Sequence, residues 1–317
     1  MQALRQRNAP SRVSLRMREI RSAALVVNAK SRRGRKLFRR ACRRLRELPF
    51  KVEPHAVKDP KHLDRTVRKA LEKKPDLLIL GGGDGTISGL VDLMVGHDVV
   101  LGVLPLGTAN SFARTLGLPL DIDGAIEVFR TGAPRRIDLG MIDDDYFANC
   151  AAMGLSPQIA ETVPHRLKKV AGRLGYLGWA GYQLTRFRPF TLYVDAGDGK
   201  GEQKLKAVEV RISNGPYHGG TWLVDEAAVD SGKIVVQVVK GHYKRRLVKN
   251  WAASWLGRDE RHHEVVTFSG TSIRVRSDPP LPISIDGEVL AHTPVTAHVA
   301  AGVIEVMAPR PPSSPSS

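Results

Sequence analysis

The stretch Asp76-Leu-Leu-Ile-Leu-Gly81-Gly82-Gly83-Asp84-Gly85-Thr86 sets one carboxylate among four glycines, directly after an apolar run. Glycine at this density allows positive φ and leaves room for another molecule against the backbone amides, which suits a polyphosphate. Asp84 is the odd member. A carboxylate repels phosphates unless a divalent cation lies between them, so the pattern points to a magnesium nucleotide rather than to bare phosphate. Thr86 then opens the apolar-rich segment Ile87 to Met94, and a helix starting there would add its dipole to the same anion site. A tight strand-to-helix turn with no ligand has the same spelling, so residues elsewhere must decide.

A second segment repeats the logic. Val99 to Leu104 reads as a buried strand, Pro105-Leu-Gly107-Thr108-Ala-Asn110-Ser111 as a polar turn, and Phe112 to Leu116 as the start of a helix. Ahead of both, Ala23 to Asn28 reads as a buried strand, followed by a loop containing Ser31. Next come a helix at Arg35 to Leu48, a strand at Phe50 to Glu53 and a helix at about Pro60 to Lys73. Strands alternating with helices give a parallel sheet with right-handed crossovers, which sends both turns to the carboxyl edge and into one crevice.

After Arg136 the pattern changes. Ile137 to Gly140 and Tyr146 to Asn149 read as short strands. From Thr191 on, strands at Thr191–Val194, Ala207–Ser213, Lys233–Val239, Glu264–Phe268, Ser272–Arg276, Ile283–Ile285 and Val303–Met307 suggest an antiparallel sandwich. Two helical segments interrupt it, His165 to about Arg186 and Lys244 to Leu256. Within the first, the uncharged run Leu174 to Thr185 carries Tyr176, Trp179 and Tyr182 and fits either a core helix or an interfacial one. Asp286-Gly287, between alternating residues, is a strong hairpin signal in its own right.

Charge is concentrated at one end: residues 1 to 50 hold sixteen Lys/Arg against Glu19 and Glu47, a net +14 of the chain's +17. Such a patch fits a polyanionic surface, and the absence of aromatic interleaving, helix-turn-helix or zinc patterns weighs against nucleic acid and toward an acidic membrane leaflet. The basic face of the Arg35–Leu48 helix could equally be a solvated one. Cys42 and Cys150 have no spacing partners and read as small buried hydrophobes of a reducing compartment. No uncharged apolar run reaches the ~18 residues needed to span a bilayer. The Arg-rich start lacks a secretory core, so the expected location is cytoplasmic, peripherally associated with the inner face of the membrane.

Gly82-Gly-Asp84-Gly-Thr86 and Leu106-Gly107-Thr108-Ala-Asn110-Ser-Phe-Ala-Arg114 together resemble the catalytic domain of the diacylglycerol kinase and sphingosine kinase superfamily, and most of all the bacterial soluble lipid kinases. The resemblance extends to Asn28 and Ser31, Asn149 to Leu155, Ser213-Asn-Gly215 with Gly219-Gly220, and Ile285-Asp286-Gly287-Glu288, covering nearly all of residues 23 to 307. It implies an α/β nucleotide-binding domain with a parallel sheet, a C-terminal β-sandwich-like domain, and a last strand returning to the first domain. The expected division is a basic arm at 1–20, the nucleotide domain at 21–136, a lipid-substrate domain at 137–302, a return strand at 303–310 and a disordered tail at 311–317.

The resemblance further implies an ATP-dependent lipid kinase acting on a primary hydroxyl of a diacylglycerol, ceramide or sphingoid-type lipid. By match, Asp84 organises Mg2+ with Glu288 near the metal, and Asp286 is the base. Asn28, Ser31, Gly82, Gly83, Gly85, Thr86, Gly107, Thr108 and Asn110 belong to the nucleotide site. The partner is a lipid at an anionic membrane surface, and a homodimer is left open. Three positions depart from the family pattern: Ala29 for the usual proline, Ser111 for a common aspartate, and Asp230-Ser231-Gly232 for an Asp-Gly pair. The last puts a secondary, structural magnesium site in doubt. NAD kinase and a non-catalytic nucleotide- or polyanion-binding protein are the competing readings. Asn149 is followed by Cys150, without the Asn-Glu signature of the former.

Overall fold

The structure, a computed structural model, describes residues 19–30, 32–162, 179, 181–183, 186–241, 265–285 and 288–310. The first half alternates as the sequence predicts: β1 (Ser22–Asn28), α1 (Arg32–Leu45), β2 (Lys51–Val57), α2 (Leu63–Glu72), β3 (Leu77–Gly82), α3 (Asp84–Val91) and β4 (Val100–Pro105). Two further helices follow, α4 (Ser111–Thr115) and α5 (Ile122–Thr131). β2, β1, β3 and β4 lie side by side and parallel. β3 and β4 are buried along their whole length, as continuous apolar strands covered on both faces must be.

α5 was not foreseen, although its signal is present. Asp121 caps it by accepting the Gly124 N–H at 2.8 Å, and Ile122, Ala125, Ile126 and Phe129 form its buried face. Against it packs α1, burying Ala41 and Leu45. The α1 charges divide accordingly: Arg40 and Arg44 pair with Asp123 of α5, whereas Lys36, Arg39 and Arg43 stay exposed, with no acidic partner among the described residues. Cys150 is buried as expected, but Cys42 is only half-buried, and burial pushes its thiol above the ordinary value.

The second half continues with β5 (Ala133–Ile142), β6 (Asp145–Phe147), β7 (Cys150–Gly154), α6 (Leu155–Thr162), β8 (Phe190–Asp195) and β9 (Gln203–Ser213). A small hairpin, β10 (Tyr217–His218) and β11 (Thr221–Trp222), precedes β12 (Ile234–Lys240), β13 (Val265–Gly270) and β14 (Ser272–Asp278). The last strands are β15 (Pro282–Ile285), β16 (Glu288–His292) and β17 (Val295–Ala308). These pair antiparallel and give the second domain its sandwich character.

β17 joins the two domains. The expected return strand at its end is real, but it is the far part of a fourteen-residue strand. Val295 and Ala297 sit in the second core, and Ile304, Val306 and Met307 in the first. It pairs with β14, with β5 along most of its length, and, in parallel, with β4 through Val306 and Leu101. The pairing with β5 slips between Ala300 and Ile304. At that slip the buried Asp138 carboxylate accepts the Gly302 N–H at 2.8 Å, an amide the ladder leaves over, and also the Gly232 N–H at 2.7 Å from the turn before β12. The helical reading of Lys244 to Leu256 and most of Leu174 to Thr185 lie outside the described residues. Within the latter, Trp179 packs on the second core and donates to Thr162 Oγ1, while Tyr182 is exposed. No helix among the described residues is long and apolar enough to cross a membrane.

Candidate active site

Because β1, β3 and β4 run parallel, Asn28, Gly82 and Pro105 end at one edge, and the two turns predicted to share a crevice touch each other there. Leu106 N–H donates to Gly82 O at 2.8 Å, and Gly83 and Gly107 lie so close that a Cβ on Gly107 would stand 2.5 Å from Gly83 Cα. None of Gly81, Gly82, Gly83 and Gly85 takes the positive φ that the glycine density suggested. Three are glycine for want of space: a Cβ would meet Val27 at Gly81, Thr86 at Gly82 and Gly107 at Gly83. Gly85 differs, being exposed with nothing within 4 Å of its missing side chain.

α3 begins at Asp84 rather than at Thr86, because Gly83 O already accepts from Thr86 N–H (2.9 Å) and Ile87 N–H (3.1 Å). The amides of Asp84 and Gly85 are thus the orphan donors of the first turn. Asp84 is half-buried, and its Oδ1 accepts the Phe112 N–H of α4 at 3.2 Å. Its Oδ2 accepts no hydrogen bond among the described residues. Thr86 Oγ1 accepts from Asn28 Nδ2 at 3.3 Å, and Asn28 Oδ1 accepts from Lys30 N–H, so the β1 loop is tied to α3.

The second turn is built around Asn110. It adopts the left-handed conformation (φ 50°), with Oδ1 accepting from Gly107 N–H at 2.9 Å and Nδ2 donating to Gly107 O at 3.2 Å. Its side chain is spent on shaping the loop, while Thr108 at the tip is exposed. Ser31, Asp286 and the Glu288 side chain lie outside what the structure describes. Among the described residues no cluster of three or more His, Cys, Asp or Glu stands close enough to hold a metal.

The second domain closes over this edge through contacts that sequence reasoning missed. Ser111 Oγ accepts the Gly220 N–H at 2.9 Å, and Thr115 Oγ1 donates to Asn149 Oδ1 at 3.1 Å. Asn149 O takes the N–H of Asn214 (2.8 Å), whose buried Nδ2 donates to Asp138 O and Ala148 O. On β9, Glu209 and Arg211 form a buried ion pair at 2.5 Å, and Arg211 Nη1 donates to Gln237 Oε1 at 2.8 Å.

Comparison with known proteins matches this arrangement. Residues 22–142 fit the model of the diacylglycerol kinase catalytic domain, and residues 150–308 fit that of the YegS C-terminal NAD kinase beta sandwich-like domain. The chain belongs to the family of diacylglycerol kinases and YegS-like lipid kinases. A diacylglycerol kinase of Staphylococcus epidermidis is 28% identical over 296 residues, covering 91% of this chain and 92% of that one. A probable YegS-like lipid kinase of Chromohalobacter salexigens is 30% identical over 290 residues, covering 90% and 92%. A crystal structure of a diacylglycerol kinase from Bacillus anthracis shares the fold, with a TM-score of 0.70 at 21% identity over 92% of this chain and 98% of that one. The chain is thus an ATP-dependent lipid kinase, and its likeness to NAD kinase is confined to the sandwich fold.

Proposed function

We propose that this kinase transfers the γ-phosphoryl group of ATP, in line, to a primary hydroxyl of a diacylglycerol, ceramide or sphingoid-type lipid, at the anionic inner face of a membrane. The observation that carries the reading is the meeting of the two turns and the first turn of α3 at one edge, with Asp84 bonded to Phe112 next to the Ser111 contact with the second domain. Phosphoryl transfer asks for positioning and for neutralisation of charge, and two phosphate-suited loops beside a carboxylate supply the frame for both.

A magnesium ion fits this donor set: Asp84 keeps one carboxylate oxygen without a hydrogen-bond donor, and Mg2+ is held by one or two carboxylates with phosphates and waters completing its shell. Asp84, together with Glu288 by the family match, would hold the ion, which when bound neutralises charge on the phosphates. The orphan amides at Asp84 and Gly85 receive phosphate oxygens, with Asn28, Gly82, Gly83, Thr86, Gly107 and Thr108 around them, Ser31 added by the family match, and Asn110 holding the loop in shape. Asp286, next to the end of β15, takes the hydroxyl proton.

The test is a screen of extracted lipids with labelled ATP, with and without excess EDTA, followed by Asp286→Asn on the best acceptor. Labelled lipid that disappears with EDTA, and a kcat lowered by ~10²-fold or more in the variant with nucleotide binding intact, support the reading. No labelled lipid refutes the substrate class. A variant within about threefold of wild type moves the base elsewhere.

A further inference from the structure

His218 is a half-buried imidazole at the meeting of the two domains and makes no hydrogen bond among the described residues. Its position is closely controlled. β10 ends at His218, and the chain reverses through Gly219 and Gly220, both at positive φ (58° and 82°). Gly220 N–H donates to Ser111 Oγ at 2.9 Å, and the space beside its Cα is filled by Ala109, whose carbonyl oxygen would stand 3.1 Å from a Cβ. The hairpin is therefore seated on the second turn of the site.

The next residue along α4, Phe112, gives its N–H to Asp84. Adjacent residues of one short helix thus hold the carboxylate of the first domain and the histidine hairpin of the second.

The charges around the ring are Arg211, Glu209 and Asp84. Arg211 and Glu209 pair with each other, and Gln237 Oε1 accepts from the guanidinium. Burial, with Arg211 acting in the same direction, keeps the imidazole below its ordinary value against the pull of the two carboxylates. Neutral or protonated, an imidazole carries at least one N–H donor. An uncommitted donor beside a phosphate-suited edge can serve an oxygen on which charge develops.

We propose that His218 is a catalytic contact of this kinase, donating a hydrogen bond to an oxygen of the phosphoryl group in transit, and that Ser111 is the positioning residue that holds it there. In the step, the lipid hydroxyl oxygen bonds to the γ-phosphorus while the bond to the β,γ-bridging oxygen breaks. That electron pair leaves on ADP, and the hydroxyl proton goes to the base. His218 keeps its own proton. This inference rests on the lipid-kinase reading for its turnover arm and is independent of it in its spectroscopic arm.

Turnover of 1,2-dioleoylglycerol in detergent micelles with Mg·ATP is compared for wild type, His218→Ala, His218→Gln, Ser111→Ala and the Ala/Ala double variant. The expected result is a kcat lowered by ~10- to 100-fold in His218→Ala with both KM values within about twofold, since the contact is made in the transition state. His218→Gln, which keeps an N–H donor, recovers most of the loss. Ser111→Ala loses less, and the double variant is no worse than His218→Ala, as for two residues acting through one contact.

A kcat within about threefold of wild type overturns the proposal. So does a loss that comes with raised KM for both substrates and a lowered melting temperature, or losses that multiply. If the wild type turns over no lipid, the substrate reading fails, and the second arm still decides on His218. Its imidazole Cε1–H resonance, assigned with His218→Gln, should shift on adding Mg·ADP with aluminium fluoride, which mimics the phosphoryl group in transit, but not on adding adenosine. An unmoved resonance refutes the contact.

Discussion

Gly85→Ala separates what the fold needs from what a ligand needs. The position is the second residue of α3, exposed, without positive φ, and with no atom within 4 Å of the added methyl. The fold therefore has no use for glycine there. Replacing a helical glycine by alanine stabilises by ~0.4–1 kcal/mol, mostly by reducing the freedom of the unfolded chain. In a protein of this size that raises the midpoint by about 1–3 °C. A polyphosphate against the Asp84 and Gly85 amides would meet the same methyl at less than contact distance, and a tenfold loss of affinity corresponds to ~1.4 kcal/mol. Calorimetric melting and titration with Mg·ADP measure the two effects on one sample. The expected outcome is a protein that melts higher and binds nucleotide at least about tenfold more weakly. A variant that is equally or more stable and binds Mg·ADP as wild type does would show that Gly85 reserves no space for a nucleotide.

Gly107→Ala should behave in the opposite way: a Cβ 2.5 Å from Gly83 Cα forces the two turns apart by about 1 Å, costing ~1–3 kcal/mol and lowering kcat ~10²-fold, and an unchanged melt would refute the steric account. Replacing Lys36, Arg39 and Arg43 by Gln should weaken sedimentation with anionic vesicles at physiological salt, where the Debye length is about 8 Å, whereas undiminished binding would clear α1 of a membrane role. Because folding lowers the His218 value, the unfolded chain binds its proton more readily. The associated stability is present above about pH 6.5 and is lost as pH falls toward the folded value. Melting temperature should accordingly drop more for wild type than for His218→Gln between about pH 7.5 and 5.5, and parallel curves would refute the assignment.

The parallel half of the fold was legible because Leu77 to Leu80 and Val99 to Leu104 are unbroken apolar runs that punctuation stops cleanly. Their shared edge followed from the crossover rule alone. The start of α3 was placed two residues late: Gly83 and Asp84 read as turn residues, but a glycine cap with an aspartate in the first turn also begins a helix. β17 was legible only from Val303 on: Val295, Ala297 and Val299 alternate with Thr296 and His298, but Ala300-Ala301-Gly302 breaks the pattern between the two halves of the strand. The contacts that define the cleft were out of reach for a different reason. Ser111 meets Gly220 across 109 residues, and Asp138 meets Gly302 across 164, and no local pattern encodes such pairs. Asn110 was read as part of the nucleotide site, and the structure adds that its side chain holds the Gly107 turn in shape.

The shared strand β17 sets a timetable for synthesis. Residues 22 to 142 include the catalytic family model's full extent, but β4 finds its outer neighbour, and β5 the longer of its two partners, only in residues 295 to 308. While the chain is still on the ribosome, Ile137 and Leu139 have no Ile304 or Ala300 to pair with, and the edge of β4 is open for most of translation. An early-emerging domain whose last strand arrives some 150 residues later is exposed to off-pathway pairing in the interval. A fragment stopped at residue 142 should consequently be recovered as aggregate, and adding back a peptide spanning residues 295 to 308 would be the natural way to rescue it.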